Sequence, residues 1–171
     1  MTSRERVLCA LRREIPDRVP WIEGIVSDEL ATRLCKEPID VNWDIAPDGT
    51  PVASGAYLAE QQKKVCRALG KDNINYNAFA PVYAGRTSMK GVVVVGEGLI
   101  HTRDDLGLMQ FPDMDAPGFL DSACEFVAHK EDFCAIACIR LGIGVALMSM
   151  GLEAFSYAMA DDPDLIVEIL E

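Results

Sequence analysis

Residues 133–139 read Phe-Cys-Ala-Ile-Ala-Cys-Ile, a run of apolar side chains with no polar interruption. Such a run is typical of a parallel β-strand that is covered on both faces, because a half-exposed strand would alternate apolar and polar residues. Downstream, the glycines of 140–144 indicate a loop and the apolar stretch from Val145 to Met159 predicts one long helix. Asp162-Pro163 then predicts the start of another helix.

The first 76 residues contain three predicted helices and two predicted strands. The first helix begins at a Thr2/Glu5 capping box, the second is capped by Ser27 and runs to about Cys35, and the third covers 56–69 and ends at Gly70. A short apolar run over 18–24, closed by Glu23 and Gly24, predicts the first strand, and 73–76 predicts the second.

Between the second strand and the 133–139 strand, a hairpin and a helix are predicted. The two predicted strands of the hairpin are residues 92–95 and 99–102, joined by Gly96-Glu97-Gly98. A helix capped near Asp115 should turn Phe119, Leu120, Cys124 and Val127 inward. The order of elements predicts an α/β fold with parallel strands, in a single domain over 1–171.

Composition narrows the possible partners. The 171 residues carry 16 Lys and Arg against 27 Asp and Glu, a net charge of −11 that would repel nucleic acid and an anionic bilayer. The amino terminus has no apolar signal region, and no window reaches the roughly 18 to 20 apolar residues of a membrane span. We therefore expect a cytoplasmic protein whose six cysteines are reduced.

Three stretches resemble one enzyme superfamily, that of uroporphyrinogen decarboxylase and the cobalamin-dependent methyltransferases. Residues 2–8 through 16–20 are similar to its first helix and first barrel strand, residues 101–107 to the end of its β-excursion, and 151–166 to the helix pair after its third strand. The resemblance implies the amino-terminal half of a (β/α)8 TIM barrel with an inserted β-hairpin. Such a half would lack residues that complete the chemistry, since a whole barrel needs about 250 residues.

Two departures separate this chain from the decarboxylases in the superfamily. Those enzymes carry an arginine-rich Met-Arg-Gln-Ala-Gly-Arg segment for the substrate carboxylates, whereas residues 23–29 are acidic here. They also carry Phe-Ser-Asp where residues 76–79 read Tyr-Asn-Ala-Phe. The resemblance thus favours the methyltransferases, which move a methyl group between a corrinoid protein and a thiol or an O-methyl or N-methyl substrate.

The resemblance also implies cofactors and partners. A zinc ion, held in the carboxy-terminal half, and a corrinoid would serve the complete enzyme, and no metal ligand is assigned within this chain. The expected partners are a small-molecule substrate, a corrinoid protein, and a second copy or a second half-barrel chain. Two alternatives stay open, a uroporphyrinogen decarboxylase homologue of porphyrin biosynthesis and a non-catalytic half-barrel binding module.

The candidate site residues are those at the carboxyl ends of the predicted strands, which meet at one rim of a barrel. Glu23 and Asn75 are the candidate catalytic residues, and Tyr76 and Arg140 the candidate substrate-binding residues. A carboxylate can serve as acid, base or acceptor, and a guanidinium can hold a substrate carboxylate. The alternative is that each residue satisfies loop backbone or forms a structural ion pair.

Two other patterns predict neither a metal site nor a nucleotide site. Cys134 and Cys138 stand four residues apart on a predicted strand, about 13 Å, which is too far for them to share a zinc ion with His129. The glycines of 142–144 and 91–96 lack the further residues of a nucleotide-binding loop.

Overall fold

The computed structural model describes the chain except for Ile25, 41–52, 90–91, 111–112, Leu141 and Glu171; at 79, 87–89, 92–93 and 140 it describes the backbone alone. The helices are α1 (Ser3–Leu11), α2 (Asp28–Cys35), α3 (Gly55–Leu69), α4 (Asp121–Ala128), α5 (Ile143–Met150), α6 (Leu152–Asp161) and α7 (Pro163–Leu170), with a 3-10 helix at Arg103–Leu108. The strands are β1 (Asn73–Phe79), β2 (Ala84–Met89), β3 (Val92–Gly98) and β4 (Cys134–Arg140).

The mixed α/β class is confirmed. The described strands form two separate two-stranded sheets, β1 with β4 and β2 with β3, and no closed barrel. The residues also divide into two compact units. The first contains α1 to α4 with most of β1 and β4, and the second contains the β2–β3 hairpin and α5 to α7. Whether these units constitute the single domain expected from the sequence stays a prediction.

Local capping determines the first three helices as the sequence predicted. Thr2 and Glu5 exchange side-chain hydrogen bonds at the start of α1, at 2.8 and 3.1 Å. Ser27 accepts from the Leu30 amide at the start of α2. Gly70, with φ +77°, ends α3 in the left-handed conformation that a glycine adopts without strain.

Strands β1 and β4 run in the same direction. The Cys134 amide, at the start of β4, donates to the Asp72 carbonyl just before β1 at 2.9 Å, so the two paired strands begin side by side. One face of β1 packs on α3 and α4, where Ile74, Leu58 and Phe126 are buried in one apolar cluster. The first unit therefore contains a parallel pair, as the apolar run of 133–139 predicted. The expected cover on both faces is not found, because no residue of 133–139 is fully buried and Ala137 and Ile139 are exposed.

The predicted first strand, 18–24, is wrong, because no strand forms there. The chain does run beside β1: the Asp72 amide donates to the Trp21 carbonyl at 3.0 Å. Beyond that point the backbone of Asn75 is bound by the Gln62 side chain, at 2.7 Å in both directions, and is not available to a neighbouring strand. Side-chain hydrogen bonds replace the ladder that the sequence predicted.

The hairpin forms, but with different strands from those predicted. Residues 92–98 make up β3, which pairs antiparallel with β2 in a sheet separate from β4, and residues 99–102 are not a strand. The valine run and Gly96 to Gly98 therefore lie within one strand. The expectation that the hairpin stands outside the β1–β4 sheet is confirmed.

Two predicted helices also have different bounds. The helix expected from Asp115 begins at Asp121, which changes its buried face: Phe126 is fully buried, while Phe119, Leu120, Cys124 and Val127 are exposed. The single helix expected over 145–159 is divided into α5 and α6 at Gly151, whose φ of +79° ends the first helix. No single described helix is long and apolar enough to cross a bilayer, although α5 and α6, bent by 114°, pass that test as a pair.

The second unit is held together where its hairpin meets α5. The Ile100 amide donates to the Ser149 carbonyl at 3.0 Å, and the Tyr83 amide donates to the Ser149 hydroxyl at 3.1 Å. A Cβ on Gly98 would lie 2.2 Å from the carbonyl carbon of Met150. The absence of a side chain at residue 98 therefore permits this backbone contact.

Replacing Gly98 with alanine should destabilise the second unit. We expect Gly98→Ala to lower the free energy of unfolding by about 3 kcal/mol, since the backbone of Met150 must move. Gly107→Ala is the matched control, because a Cβ there meets no atom within 4 Å. Urea denaturation measures both variants, and equal midpoints would contradict the close contact.

Candidate functional site

A buried carboxylate stands at the base of the candidate site. The Asp72 side chain has no solvent exposure and lies at the junction of α1, the 17–24 segment and β1. It accepts hydrogen bonds from Arg6 Nη1 at 2.5 Å, Arg18 Nη2 at 2.8 Å and the Trp21 amide at 2.9 Å. Burial by itself favours the neutral acid, but these hydrogen bonds outweigh burial and hold the pKa of Asp72 below its usual value.

Arg6 connects this carboxylate to a second one. Its Nε and Nη2 donate to Asp17 at 2.6 and 2.9 Å, in a bidentate pair. Arg6 holds the pKa of Asp17 well below its ordinary range, and Asp17 in turn raises the pKa of the guanidinium. We call Arg6, Asp17, Arg18 and Asp72 the ionic cluster. It fixes the start of the 17–24 segment against α1 and β1.

Above the ionic cluster, three side chains from β1 and the residues before it converge on one carbonyl. Lys71 Nζ, Asn73 Nδ2 and Asn75 Nδ2 donate to the Glu23 carbonyl oxygen at 3.0, 3.2 and 2.9 Å. Asn73 Oδ1 accepts from the Glu23 amide at 3.1 Å. The backbone of Glu23 is thus held on both sides, which positions its side chain relative to β1.

Among the side chains that meet at this carbonyl and the side chain of Glu23 itself, the Glu23 carboxylate is the one exposed to solvent. Glu23 is exposed, and its Oε1 accepts from the Gly24 amide at 3.0 Å. Its Oε2 has no partner in the part of the chain that the structure describes. A carboxylate on a fixed backbone, with one free oxygen, can accept a proton or hold a hydrogen-bond donor.

The side-chain amide of Asn75 is already engaged in hydrogen bonds within the protein. It is almost fully buried, and its Nδ2 donates both hydrogens, to the Glu23 and Gly24 carbonyls, the latter at 2.7 Å. Its Oδ1 accepts from Asn73 at 2.8 Å. The geometry therefore gives Asn75 a positioning function, while its catalytic assignment stays a prediction.

The two candidate substrate-binding residues have separate positions. Tyr76 is half-buried, and its ring centroid lies 5.3 Å from that of Phe126, so the ring belongs to the apolar cluster beneath β1. Arg140 is the last residue of β4, and its side chain lies outside the described residues. Glu23 and Asn75 are brought together, whereas convergence with Arg140 stays a prediction.

Sequence reasoning missed the groups that hold Glu23. Lys71, Asp72 and Asn73 were not singled out, although residues 71–75 read Lys-Asp-Asn-Ile-Asn. That pattern gives β1 one polar face at its start, which is unusual for a strand buried as deeply as this one. A buried strand with polar side chains at alternate positions is the signal that could have found them.

The second unit contains an open cleft of about 500 Å³ beside α6. The side chains that line it include His101, Arg103, Asp104, Tyr157 and Asp161. The Arg103 guanidinium is already paired with Asp162 and with Glu168. The cleft is therefore lined by exposed acidic groups and by a guanidinium that already forms ion pairs with two carboxylates.

The described residues do not fit the zinc ion that the resemblance implies for the complete enzyme. No group of three or more His, Cys, Asp or Glu side chains among them could hold a metal ion. His129 Nδ1 lies 2.8 Å from the Glu125 carbonyl, and all six cysteines are free thiols.

Comparisons with protein-family models, with curated proteins and with solved structures found no match to this chain.

Removing the buried charge should weaken the first unit. We expect Asp72→Asn to lower the free energy of unfolding by about 3 kcal/mol at pH 7, because Arg6 and Arg18 lose a buried partner. The pKa of Asp72 is lowered by folding, so its stabilisation is present above the unfolded value of about 4 and is lost as the pH falls through the folded value.

The difference between wild type and Asp72→Asn should therefore shrink on acidification below about pH 4. Asp132→Asn is the control, since Asp132 is exposed and its carboxylate takes part in no ion pair with the described residues. Denaturant titrations across pH measure both variants. A difference that is constant with pH would show that the charge of Asp72 contributes nothing.

Proposed function

We propose that this chain belongs to the uroporphyrinogen decarboxylase and cobalamin-methyltransferase superfamily and forms the substrate-binding part of a corrinoid-dependent methyltransferase. One observation supports the proposal most. Arg6 and Arg18, charged residues of the stretch that carries the resemblance, both bind Asp72, and Arg6 also binds Asp17 of the same stretch. Together they fix the segment that leads to Glu23. These residues act as one unit, as members of a structural signature would.

Under this proposal, Glu23 is the acid, base or hydrogen-bond acceptor that meets the substrate. Its carboxylate is exposed, and its backbone is held by Lys71, Asn73 and Asn75. A fixed backbone reduces the freedom that the carboxylate must lose when a substrate binds. Arg140 is proposed to hold a carboxylate of the substrate or a side chain of the corrinoid. Tyr76, predicted to bind substrate, instead packs its ring on Phe126 and supports β1 from beneath.

The acidic character of the segment after the ionic cluster favours methyl transfer over decarboxylation. Glu23, Asp28 and Glu29 follow one another within seven residues, and Glu23 and Glu29 are exposed. A porphyrinogen carries several carboxylates, which these groups would repel. A substrate that is neutral or carries few negative charges suits this segment better.

The proposal requires more strands than the described residues supply. They provide one parallel pair, β1 and β4, whereas a barrel of this type has eight strands. The binding and positioning groups are assigned to this chain, and the activation of the methyl acceptor is assigned to the remainder of the enzyme.

Substitution of Glu23 tests the proposed site. In the complete enzyme, supplied with methylcobalamin and a thiol acceptor, we expect Glu23→Gln to lower the rate of methyl transfer by about 10² to 10⁴-fold. The loss of methylcobalamin absorbance measures the rate. Glu29→Gln is the matched control, because Glu29 is an exposed carboxylate in the first turn of α2.

The outcomes separate the candidate functions. Release of carbon dioxide from uroporphyrinogen, with no methyl transfer, would favour the decarboxylase. Neither activity in the complete enzyme would contradict both enzyme proposals and favour a non-catalytic binding module. Equal rates in Glu23→Gln and Glu29→Gln would remove Glu23 from the site.

The purified 171-residue chain should associate with itself or with a second chain. Trp21 and Ile22 are 44% and 48% exposed, and in the described residues β4 pairs with β1 alone. Each large apolar side chain left in water forgoes about 1.5 to 3 kcal/mol. Analytical sedimentation should detect association that weakens in the double variant Trp21→Ser, Ile22→Ser, and a compact wild-type monomer would contradict this expectation.

A further inference from the structure

The two edges of β1 face different neighbours. Along a strand, the N–H and C=O of one residue point to the same side, and successive residues alternate between the two sides. Both backbone groups of Asn75 are bound by a side chain of α3, so Asn75 and Asn73 face away from β4, while Ile74 between them faces it. Asp72, just before the strand, does not follow this alternation, because its carbonyl accepts from Cys134 and its amide donates to Trp21. We call the side of β1 that faces away from β4 the outward edge.

Two side chains of α3 bind the outward edge. The Asn75 amide donates to Gln62 Oε1, and Gln62 Nε2 donates to the Asn75 carbonyl, both at 2.7 Å. The Cys66 thiol donates to the Asn73 carbonyl at 2.9 Å. The primary amide of Gln62 thus supplies one donor and one acceptor, as a residue of a neighbouring strand would.

The spacing of these contacts matches the geometry of both elements. Gln62 and Cys66 are four residues apart on one face of α3, a rise of about 6 Å. Asn73 and Asn75 are two residues apart on β1, a rise of about 6.6 Å. A helix that lies along a strand can therefore bind successive outward positions with an i, i+4 pair.

The chemistry of Cys66 suits the donor role. Cys66 is almost fully buried, and burial raises the pKa of its thiol to about 11, so the sulfur keeps the proton that it donates. Gln62 is also buried, and carries no charge that would be costly there. Both groups can remain in the apolar interior while they occupy backbone groups of β1.

We propose that Gln62 and Cys66 form a cap that closes the outward edge of β1 against pairing with a strand from a second copy of this chain. Unpaired edges are the places at which sheets join, and covering an edge with a helix prevents it. Here the cover makes specific hydrogen bonds to the backbone groups that a joining strand would need. This proposal does not rest on the proposed function, since it concerns only α3 and β1.

Substitution of Gln62 tests the cap, with its sequence neighbour as control. Gln62→Leu should expose the Asn75 amide, and its hydrogen exchange should accelerate about tenfold in dilute solution, since one hydrogen bond is lost. The same variant should associate more strongly than wild type at high concentration and gain strand signal. Gln61→Leu, at a half-buried position, should match wild type in both measurements.

A folded Gln62→Leu with wild-type association would overturn the proposal. If Gln62→Leu does not fold, Gln62→Met replaces it, since an uncharged thioether of similar length fills the same space and cannot donate to the Asn75 carbonyl. That variant should also associate more strongly than wild type. Scalar coupling across the hydrogen bond from the Asn75 amide to the Gln62 carbonyl tests the contact in wild type, and its absence would also overturn the proposal.

Discussion

The first unit depends on the buried carboxylate of Asp72. A charge with no exposure to water is costly unless opposite charges and hydrogen-bond donors surround it, and here Arg6, Arg18 and the Trp21 amide do so. These donors come from the first helix and from the segment that follows it. The arrangement makes their positions interdependent: α1 docks correctly only when the 17–24 segment is in place, and both need the start of β1.

Sequence alone predicted the features that depend on neighbours in the chain. The caps at Thr2 and Ser27, the end of α3 at Gly70 and the apolar strand of 133–139 were all found, because each involves a local pattern. The strand over 18–24 failed, since its ladder depends on edge groups of β1 that Gln62 occupies from a distant position. No local pattern in 18–24 carries that information.

The candidate site was also predicted only in part, because its contacts join residues that are distant in sequence. Glu23 and Asn75 were singled out as strand-end residues, and they do meet, but through the Glu23 backbone rather than through converging side chains. Lys71 and Asn73 were missed because only the fold shows that their donors reach one carbonyl. The bounds of the hairpin and of the 145–159 helix were wrong because the glycines there are ambiguous: Gly98 belongs to a strand rather than to the turn, and Gly151 divides the helix.

The contact between Gly98 and the end of α5 has a consequence for the order of folding. The β2–β3 hairpin is local and can form within microseconds, whereas the contact of residue 98 with Met150 closes a loop of about fifty residues, which is entropically costly. We expect hairpin and helix to form separately and the glycine contact to join them late. The last step in folding of the second unit would then be the close contact of two backbone segments rather than the burial of side chains. The refolding rate of this unit would measure how fast residue 98 reaches Met150.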